Sequence, residues 1–339
     1  MNSIIIKQFT LLLKQIQIDM NKSTGIEYTK NSFRLSNTFK ILKILKSLTK
    51  PIKTIDDINS LKNISGIGKG TIKRIEEILK KGKLSEIRKK NNSQYLESIS
   101  NLIKIFGIGK KKANELIVKY NIHNINDLVK LIKNKKIELP ENIIKGLKYV
   151  NKTKTNIPRK EIDEIYIYLI KKIQEIDKNL NLYICGSYRR LKPTSNDIDI
   201  IIYHNKLIKK KETENSNIMK TFIQTLIDDG FIIDNYTSLN VPTKFMGLCK
   251  KKRHIRRIDI RMIPLESLHY ATLYFTGSGD FNKKMRKNAM NLGYILNEYG
   301  LYINSLNSKK LVKSTKYINS EKDIFEILNM EYLPPHLRE

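Results

Sequence analysis

Apolar residues recur at helical spacing along the first 150 residues. The segments "FKILKILKSL" (39–48) and "LIKIFGIGKKKANELIVKY" (102–120) place aliphatic side chains three and four positions apart, with lysines between them. This spacing predicts amphipathic helices that bury one face. The first 20 residues also predict an amphipathic helix, since their short apolar stretch lacks the small-residue cleavage site of a signal peptide.

The pattern changes after residue 160, where short apolar runs follow a helix predicted over Ile162–Ile176. The segment 215–230 predicts a second helix, and "KKKETENSN" (209–217) predicts a surface loop. Four short apolar runs predict β-strands: Leu182–Cys185, Ile198–Tyr203, Gly230–Ile233 and Arg257–Ile263. Helices followed by mixed helices and strands are typical of an α+β fold.

The sequence Gly-Ile-Gly-Lys occurs twice, at 66–69 and 107–110, each time between two predicted helices. Glycine permits positive φ and close backbone approach, and the next helix presents free N–H groups. Two copies in one context indicate a supersecondary unit used twice, which suits phosphate-backbone binding. The alternative is a tight turn packed into a core. The residues that would meet phosphate are Gly66, Gly68, Lys69, Gly107, Gly109 and Lys110.

Three aspartates lie in predicted strands or at their start. Asp197 and Asp199 share a face because side chains alternate, and Asp259 has Arg257 on its own face. Like charges so close are costly unless a cation bridges them or one is protonated. Oxygen ligands without a nearby His or Cys favour a hard ion such as Mg²⁺, and two such ions suit phosphoryl transfer. The alternative is ion pairing between the aspartates and local arginines.

A Gly-Ser pair stands ten positions ahead of the first of these aspartates. Ser187 can donate a hydrogen bond to phosphate, and Arg189 and Arg190 supply positive charge. The spacing lets the loop fold back and hold a triphosphate over the metals. This Gly186-Ser187…Asp-x-Asp signature resembles the nucleotidyltransferase superfamily.

The excess of positive charge in the sequence indicates what kind of molecule the protein binds. The formal charge of +31 favours an anionic partner, first nucleic acid and second an anionic membrane surface, although abundant Lys, Asn and Ile are also typical of an AT-rich genome. No run of 18 apolar residues could span a bilayer. The chain has two cysteines and scattered histidines. These predict neither a disulfide framework nor a zinc site, and we expect an intracellular protein.

Four further segments carry a closer resemblance: "YFTGSGDFNKKMRKNAMNLGYILNEYGL" (274–301), "RRIDIRMIP", "TKFMGLC" and "GLKYVNKTKTNIPRKEI". With them, the chain from about residue 30 to its end resembles the family X DNA polymerases. The resemblance implies a DNA-directed polymerase that fills short gaps in base excision repair. It would act as a monomer with two Mg²⁺ or Mn²⁺ ions, dNTPs and gapped or nicked DNA, and a DNA ligase is an expected partner. A nucleus is the expected compartment, or a cytoplasmic replication site if the chain is viral.

The resemblance also implies four domains. Residues 1–92 would be a helical, lyase-like 5′-phosphate-binding domain with one helix-hairpin-helix motif, and 93–155 would be a second helix-hairpin-helix subdomain that binds DNA. Residues 156–263 would form a catalytic palm with a mixed or antiparallel sheet. Residues 264–339 would form a small α+β subdomain for nucleotide selection.

Site residues follow from the same resemblance at matching positions. Asp197, Asp199 and Asp259 would bind the two Mg²⁺ ions, and Asp259 would accept the primer 3′-hydroxyl proton. The nucleotide would meet Gly186, Ser187, Arg190, Tyr274, Phe275, Gly277 and Asn282. Besides the two turns, DNA would meet Lys244, Arg257, Arg286 and Tyr299. Backbone carbonyls would hold Na⁺ or K⁺ at Lys62, Ile64 and Ile67 and at Ile103, Ile105 and Ile108.

One departure concerns lyase chemistry. Arg74 stands where the family uses a Schiff-base lysine to excise a 5′-deoxyribose phosphate, and a protonated guanidinium is a poor imine-forming nucleophile. We expect a 5′-phosphate clamp formed by Arg34, Lys69, Lys73 and Arg74, with Lys69 or Lys73 as the alternative nucleophile.

Other departures lie near the nucleotide. Asn156 replaces an arginine that reaches the triphosphate, and Gly279 replaces an aspartate beside the incoming base. Leu191 and Asn196 replace glycines of the phosphate loop. None of these is a metal-binding carboxylate, so we expect activity with altered nucleotide affinity.

Two other functions stay open. A template-independent or end-joining nucleotidyltransferase would use the same carboxylates, although no BRCT-like extension precedes the first predicted helix. A non-catalytic DNA-end-binding protein would not need three intact aspartates.

Overall fold

The chain forms two compact units, Met1–Leu139 (unit 1) and Pro140–Glu339 (unit 2). This division is coarser than the four domains expected from the sequence, which stay a prediction. The computed structural model describes residues 2–64, 66–87, 89–153, 156–240, 242–303, 312–313 and 318–339.

Unit 1 is built from helices in its described residues, as the spacing of apolar positions predicts. Ile5, Phe9, Leu12 and Ile16 form one face of the first helix and are buried against the second and fourth helices. The helices are α1 (Ser3–Lys22), α2 (Gly25–Ser47), α3 (Ile55–Ser60), α4 (Lys69–Lys81), α5 (Lys89–Leu102), α6 (Lys110–Tyr120) and α7 (Ile125–Lys133).

The two Gly-Ile-Gly turns fold alike. Gly66 and Gly107 both have positive φ, +95° and +87°, which favours glycine. The amide of Ile67 donates to the carbonyl of Ile64 at 3.0 Å, and the second turn repeats this bond from Ile108 to Ile105 at 3.1 Å. In each copy the next helix begins directly after the second glycine. The internal repeat inferred from the sequence is therefore present in the backbone.

Unit 2 contains both helices and strands, as expected for an α+β fold. Its helices are α8 (Glu141–Tyr149), α9 (Arg159–Ile176), α10 (Gly186–Arg189), α11 (Lys210–Asn215), α12 (Ile218–Asp228), α13 (Leu268–Thr276), α14 (Gly279–Asn291) and α15 (Glu321–Ile327). Its strands are β1 (Ile157–Pro158), β2 (Leu180–Ile184), β3 (Thr194–Ser195), β4 (Ile198–His204), β5 (Ile232–Asn235), β6 (Lys244–Lys251), β7 (His254–Met262), β8 (Tyr294–Asn297), β9 (Gly300–Ile303) and β10 (Val312–Lys313).

The central sheet has the order β2-β4-β7-β6-β5 and is mixed, because β4 and β7 are parallel and the other neighbours are antiparallel. Alternation along β4 buries Ile198, Ile200 and Ile202 in the core that α9 and α12 cover. Asp199 and Ile201 point to the opposite face, where Ile201 packs against Ala271 of α13. Strand alternation thus puts the carboxylate on the face that α9 and α12 leave uncovered.

The structure corrects several predicted elements. Residues 210–215 form α11 rather than a loop, because the Glu212 carboxylate accepts the backbone amides of Ile208 and Lys209, both at 2.8 Å. β6 was not predicted as a strand, and its eight residue pairs with β7 compensate for the weak strand propensity of Gly247. The strand predicted from Gly230 begins two residues later, at Ile232.

Among the helices in the described part of the chain, none has both the length and the apolar character that crossing a bilayer requires.

Candidate active site

The three aspartates singled out in the sequence come together on one face of the sheet, near the start of β4. Asp199 of β4 and Asp259 of β7 are register partners on the parallel pair, and Asp197 lies just ahead of β4. One carboxylate oxygen from each residue lies within 4.8 Å of the other two. These atoms can hold a metal ion, and the donor set contains only oxygen.

Arg257 partly neutralises the negative charge of the three aspartates. Its guanidinium contacts the Asp197 carboxylate and lies 3.9 Å from Asp259 Oδ2, so the ion-pair alternative is partly realised. However, Asp259 Oδ1 and Arg257 Nε are buried without a hydrogen-bond partner among the described residues. A buried carboxylate oxygen left open in this way fits a cation ligand.

The carboxyl pKa values also indicate that the cluster lacks positive charge. Burial, followed by the neighbouring Asp259 carboxylate, raises the pKa of Asp199 to about 7 against the opposing effect of Arg190. Burial likewise raises the pKa of Asp259, against the opposing effect of Arg257. A divalent cation bound between the carboxylates would favour their ionised forms and lower both pKa values. The residues present therefore fit a metal ion.

Gly186 leaves the space that the Asp199 carboxylate occupies. Its φ is +56°, and a Cβ at this position would lie 2.1 Å from Asp199 Oδ2. A side chain is therefore excluded both by backbone conformation and by contact. The short helix α10 that begins here also brings Ser187 to the site, where its hydroxyl donates to Ser195 Oγ at 2.7 Å.

An open cleft of about 440 Å³ lies in front of the carboxylates. It contains every residue that the sequence assigned to the nucleotide, together with two of the aspartates. Asn196 and Gly279, two of the departures from the family pattern, also face it. Its lining residues are Gly186, Ser187, Arg190, Asn196, Asp197, Asp199, Tyr274, Phe275, Thr276, Gly277, Gly279, Asn282, Lys283 and Arg286.

The far wall of the cleft is formed by the end of α13 and the start of α14. The Tyr274 and Phe275 rings meet edge to face with centroids 5.2 Å apart. The Asn282 amide donates to the Tyr274 carbonyl at 2.7 Å, and Arg286 lies 5.9 Å from the Tyr274 ring centroid. Gly277, between the helices, has φ +69° and precedes a cis peptide bond.

The guanidinium of Arg190 crosses to this wall and donates to the Thr276 carbonyl. Its Nε is buried without a partner among the described residues. Charge is therefore held at the rim of the cleft next to Ser187, where an outer phosphate would need it.

Besides the residues of the two turns, and Arg257, which contacts the Asp197 carboxylate, two residues predicted to contact DNA lie outside the cleft lining. Lys244 stands on β6 opposite Arg261, where burial lowers its pKa and the nearby Asp259 acts against this. Tyr299 lies at the β8–β9 turn, where its carbonyl accepts the Ser267 hydroxyl at 2.9 Å and Lys210 lies 4.7 Å from its ring centroid. The DNA contacts of both residues stay predictions.

A buried ion-pair network centred on Glu321 lies next to the cleft and contacts Thr276 of its lining. The sequence analysis did not single out Glu321. Both Arg189 and Arg338 bind Glu321 through two hydrogen bonds, at 2.9 Å and 3.1 Å respectively. Arg189 also donates to Thr276 Oγ1 at 2.7 Å. Arg338 is fully buried, and its carbonyl accepts the Ser278 amide at 3.1 Å. No local motif marks these residues, because the partners are 132 and 17 positions apart.

Unit 1 has a polar pocket of about 520 Å³ beside the first Gly-Ile-Gly turn. Two of the four predicted 5′-phosphate residues, Arg34 and Arg74, line it, whereas Lys69 and Lys73 do not. Among the described residues, no lysine lines this pocket. The lining comprises Ile16, Arg34, Asn37, Thr38, Ile41, Gly66, Ile67, Gly68, Gly70, Thr71 and Arg74.

Comparison with known proteins gives the family. The model for the DNA polymerase beta palm matches residues 156–265, and the model for the DNA polymerase beta thumb matches residues 271–339. Together these ranges cover more than half of the chain and contain all the residues of the cleft.

Curated relatives agree with these matches. The chain is 29% identical over 302 residues to DNA polymerase lambda of Arabidopsis thaliana. This alignment covers 84% of this chain and 54% of the relative. It is 29% identical over 304 residues to DNA polymerase lambda of Rattus norvegicus, covering 86% and 50%. The chain thus spans about half the length of the curated relatives it matches.

A solved structure is also similar: polymerase beta of Leishmania infantum in a ternary P/T complex. The match has a TM-score of 0.63 and 29% identity, and it covers 73% of this chain and 99% of that one. With the carboxylate triad, the cleft and both domain matches in agreement, the chain belongs to the family X DNA polymerases.

Proposed function

We propose that this chain is a template-directed DNA polymerase that fills short gaps in duplex DNA during repair. It transfers a nucleotidyl group from a dNTP to the 3′-hydroxyl of a primer and releases pyrophosphate. The observation that carries the proposal is the position of the carboxylate triad at one end of the cleft that Ser187, Arg190, Tyr274 and Asn282 line. The names of the relatives, DNA polymerase lambda and polymerase beta, support it.

Asp197, Asp199 and Asp259 would hold divalent cations, for which we propose Mg²⁺, with Mn²⁺ as a substitute. Ions bound there would neutralise the triphosphate and the charge that develops during transfer. The oxygen-only donor set and the buried open oxygen of Asp259 support this assignment.

The chain's own residues would align and activate the reactants. Asp259 Oδ1 would accept the proton of the primer 3′-hydroxyl as the oxygen attacks the α-phosphorus. Ser187 and Arg190 would bind the outer phosphates, and their hold on the leaving pyrophosphate favours cleavage of the bond to the α-phosphate. Arg189, fixed by Glu321, would keep the neighbouring Arg190 in place.

The wall opposite the carboxylates would select the nucleotide. Tyr274, Phe275 and the backbone at Gly277 would enclose the sugar, leaving little room for a 2′-hydroxyl. Asn282 would contact the minor-groove edge of the incoming base, and Arg286 would meet the template strand. Because Asn156 and Asn196 replace family residues near the phosphates, nucleotide affinity should differ from that of relatives.

The two helix-hairpin-helix turns would bind the DNA backbone. Gly68 and Gly109 have ordinary negative φ values, −93° and −84°, and open space where a Cβ would stand. The fold itself does not require glycine there, whereas a phosphate approaching the helix N-terminus would. The six backbone carbonyls assigned to the turns would hold Na⁺ or K⁺ against these phosphates. The net charge of +31 would add a strongly salt-dependent attraction.

The four predicted domains fit this use of the chain. The region 1–92 would bind the 5′ end of the gap through Arg34 and Arg74, and 93–155 would bind duplex backbone. The regions 156–263 and 264–339 would supply catalysis and nucleotide selection. A DNA ligase would seal the nick that remains, in an intracellular compartment.

Single-nucleotide addition on a gapped duplex tests the proposal. Four substrates that differ only in the templating base are each offered the four dNTPs separately, with Mg²⁺ present. We expect rapid addition only of the complementary nucleotide on each substrate. Addition that ignores the templating base would instead favour the template-independent transferase, and no addition to any substrate would favour a DNA-end-binding protein.

A further inference from the structure

The arginines of the unit 1 pocket share one carboxylate. Arg74 Nε lies 2.5 Å from Glu86 Oε1, and Arg74 Nη2 donates to Glu86 Oε2 at 3.3 Å. Arg34 Nη2 lies 3.8 Å from the same Oε2 atom. Glu86 itself does not line the pocket, so it contacts the two guanidinium groups from outside the cavity.

This carboxylate changes the charge that the pocket offers a ligand. Two guanidinium groups and one carboxylate leave one net positive charge where the arginines alone would give two. The pairs are only partly shielded, with about a third of the Arg74 and Glu86 side chains exposed (33% each). A phosphate in the pocket would therefore be attracted by the two arginines and repelled by Glu86.

The remaining lining suits an anion. Gly66, Gly68 and Gly70 expose backbone, and Asn37, Thr38 and Thr71 add polar side chains. Among the described residues, Arg74 Nη1 has only a long hydrogen bond of 3.4 Å to the Gly70 carbonyl, so it stays available to a ligand. A terminal phosphate, which carries more charge than an internal phosphodiester, would gain most from this cradle.

We infer that Glu86 is a specificity-determining residue for the DNA end: it weakens the pocket's preference for a phosphorylated 5′ end by neutralising Arg74 and Arg34. This inference rests on the proposed function, because it assumes that gapped DNA is the ligand. The consequence is a pocket that binds the 5′-phosphate by reversible ion pairing and holds it loosely.

The test compares affinity for two gapped duplexes that differ only in a 5′-phosphate or 5′-hydroxyl on the downstream strand. The full chain is titrated against each at fixed salt by fluorescence anisotropy, and the ratio of the two Kd values is the readout. The variants are Glu86→Gln, which keeps shape but removes charge, and Arg74→Ala. Glu76→Gln is the matched control, because Glu76 is on the same helix as Arg74 but, among the described residues, forms no ion pair with either pocket arginine.

We expect Glu86→Gln to raise the preference for the phosphorylated end by about threefold or more, within the range that a partly exposed ion pair can supply. Glu76→Gln should leave the ratio unchanged, and Arg74→Ala should lower the preference for the phosphorylated end, with Arg34 as the remaining pocket arginine. A ratio that is unchanged or lower in Glu86→Gln would overturn the inference, because Glu86 would then only orient Arg74. A preference in Arg74→Ala as large as in wild type would also overturn it, since Arg74 would then not contribute to phosphate binding.

Failure of the proposed function would look different. Wild-type chain that binds neither gapped duplex would overturn that function and this inference together. Wild-type chain that binds both and extends primers, with no change in Glu86→Gln, would overturn the inference alone. Thermal unfolding of each variant confirms that the comparison is made on folded protein.

Discussion

Asp199 and Asp259 face each other as register partners on the parallel strands β4 and β7. Their carboxylates therefore project from adjacent strands on the same face of the sheet, where Asp197, just ahead of β4, joins them. Burial and mutual repulsion favour the protonated form of Asp199. Both carboxylates can be ionised at neutral pH when cations offset that cost.

Gly186 should be indispensable for this geometry. A Gly186→Ala substitution places Cβ against the Asp199 carboxylate, at 2.1 Å in the present structure, so the carboxylate must move. We expect single-turnover nucleotide addition to slow by about 10²-fold, as misplacement of a reacting group by an ångström can do. Gly230→Ala is the matched control: its φ of +68° brings similar backbone strain, but no atom lies within 4 Å of the new Cβ. Equal loss of rate in both variants would mean that strain, not the contact, matters.

The buried network behind the cleft should stabilise unit 2 in a pH-dependent way. Burial raises the pKa of Glu321, but hydrogen bonds from Arg189 and Arg338 outweigh it and hold the pKa below its usual value. The stabilisation is thus present above the usual glutamate pKa and is lost as pH falls through the lowered one. We expect Glu321→Gln to lower the free energy of unfolding by about 3–5 kcal/mol at pH 7, with the deficit shrinking below about pH 4.

Denaturant titration at several pH values measures this effect. The control is Glu326→Gln on the same helix, whose ion pair with Lys322 is exposed and spans 3.8 Å, so it should change stability by less than about 0.5 kcal/mol. A deficit for Glu321→Gln that is the same at pH 3 and pH 7 would show that the loss does not depend on ionised Glu321.

The unit 1 pocket should not form a covalent adduct. Its described lining contains arginines and no lysine, and a guanidinium does not form an imine under these conditions. Borohydride trapping on incised abasic DNA should yield no adduct with wild type, whereas Arg74→Lys should gain a detectable one. A wild-type adduct that Lys73→Ala abolishes would contradict this expectation and restore lyase function.

Substitutions at the two glycines of the second turn should have different effects, one on folding and the other on DNA binding. Gly107→Ala should destabilise unit 1, because its φ of +87° is strained for alanine. Gly109→Ala should leave the unfolding midpoint nearly unchanged, since nothing lies within 4 Å of its Cβ and its φ is negative. It should nevertheless weaken duplex binding several-fold by keeping phosphate away from the helix N-terminus. Duplex affinity equal to wild type in Gly109→Ala would argue against phosphate contact at this turn.

Local patterns in the sequence were sufficient to predict much of the fold and the grouping of the three carboxylates. Apolar spacing predicted the helices of unit 1, and alternation placed Asp197 and Asp199 on one face. The Gly-Ile-Gly repeat predicted two similar turns, which the backbone contains. Each of these features depends on residues within a few positions of one another.

Features that depend on distant residues were missed. The role of Glu321 cannot be predicted from its neighbours in the sequence, because its partners Arg189 and Arg338 reach it only in the folded chain. Glu86 belongs to no sequence motif, and only the fold brings it to Arg74 and Arg34. β6 was missed because its strand character comes from pairing with β7 rather than from its own propensity.

The most direct test of polymerase chemistry at this site is primer extension on a gapped duplex by wild type and Asp259→Ala. Asp228→Ala serves as control, since it removes an exposed carboxylate at the end of α12, on the opposite face of the sheet from the cleft. We expect wild type and the control to extend the primer equally, and Asp259→Ala to be slower by about 10²-fold or more while binding the gapped DNA as well as wild type. Equal extension by wild type and Asp259→Ala would contradict the assignment of this triad as the polymerase active site.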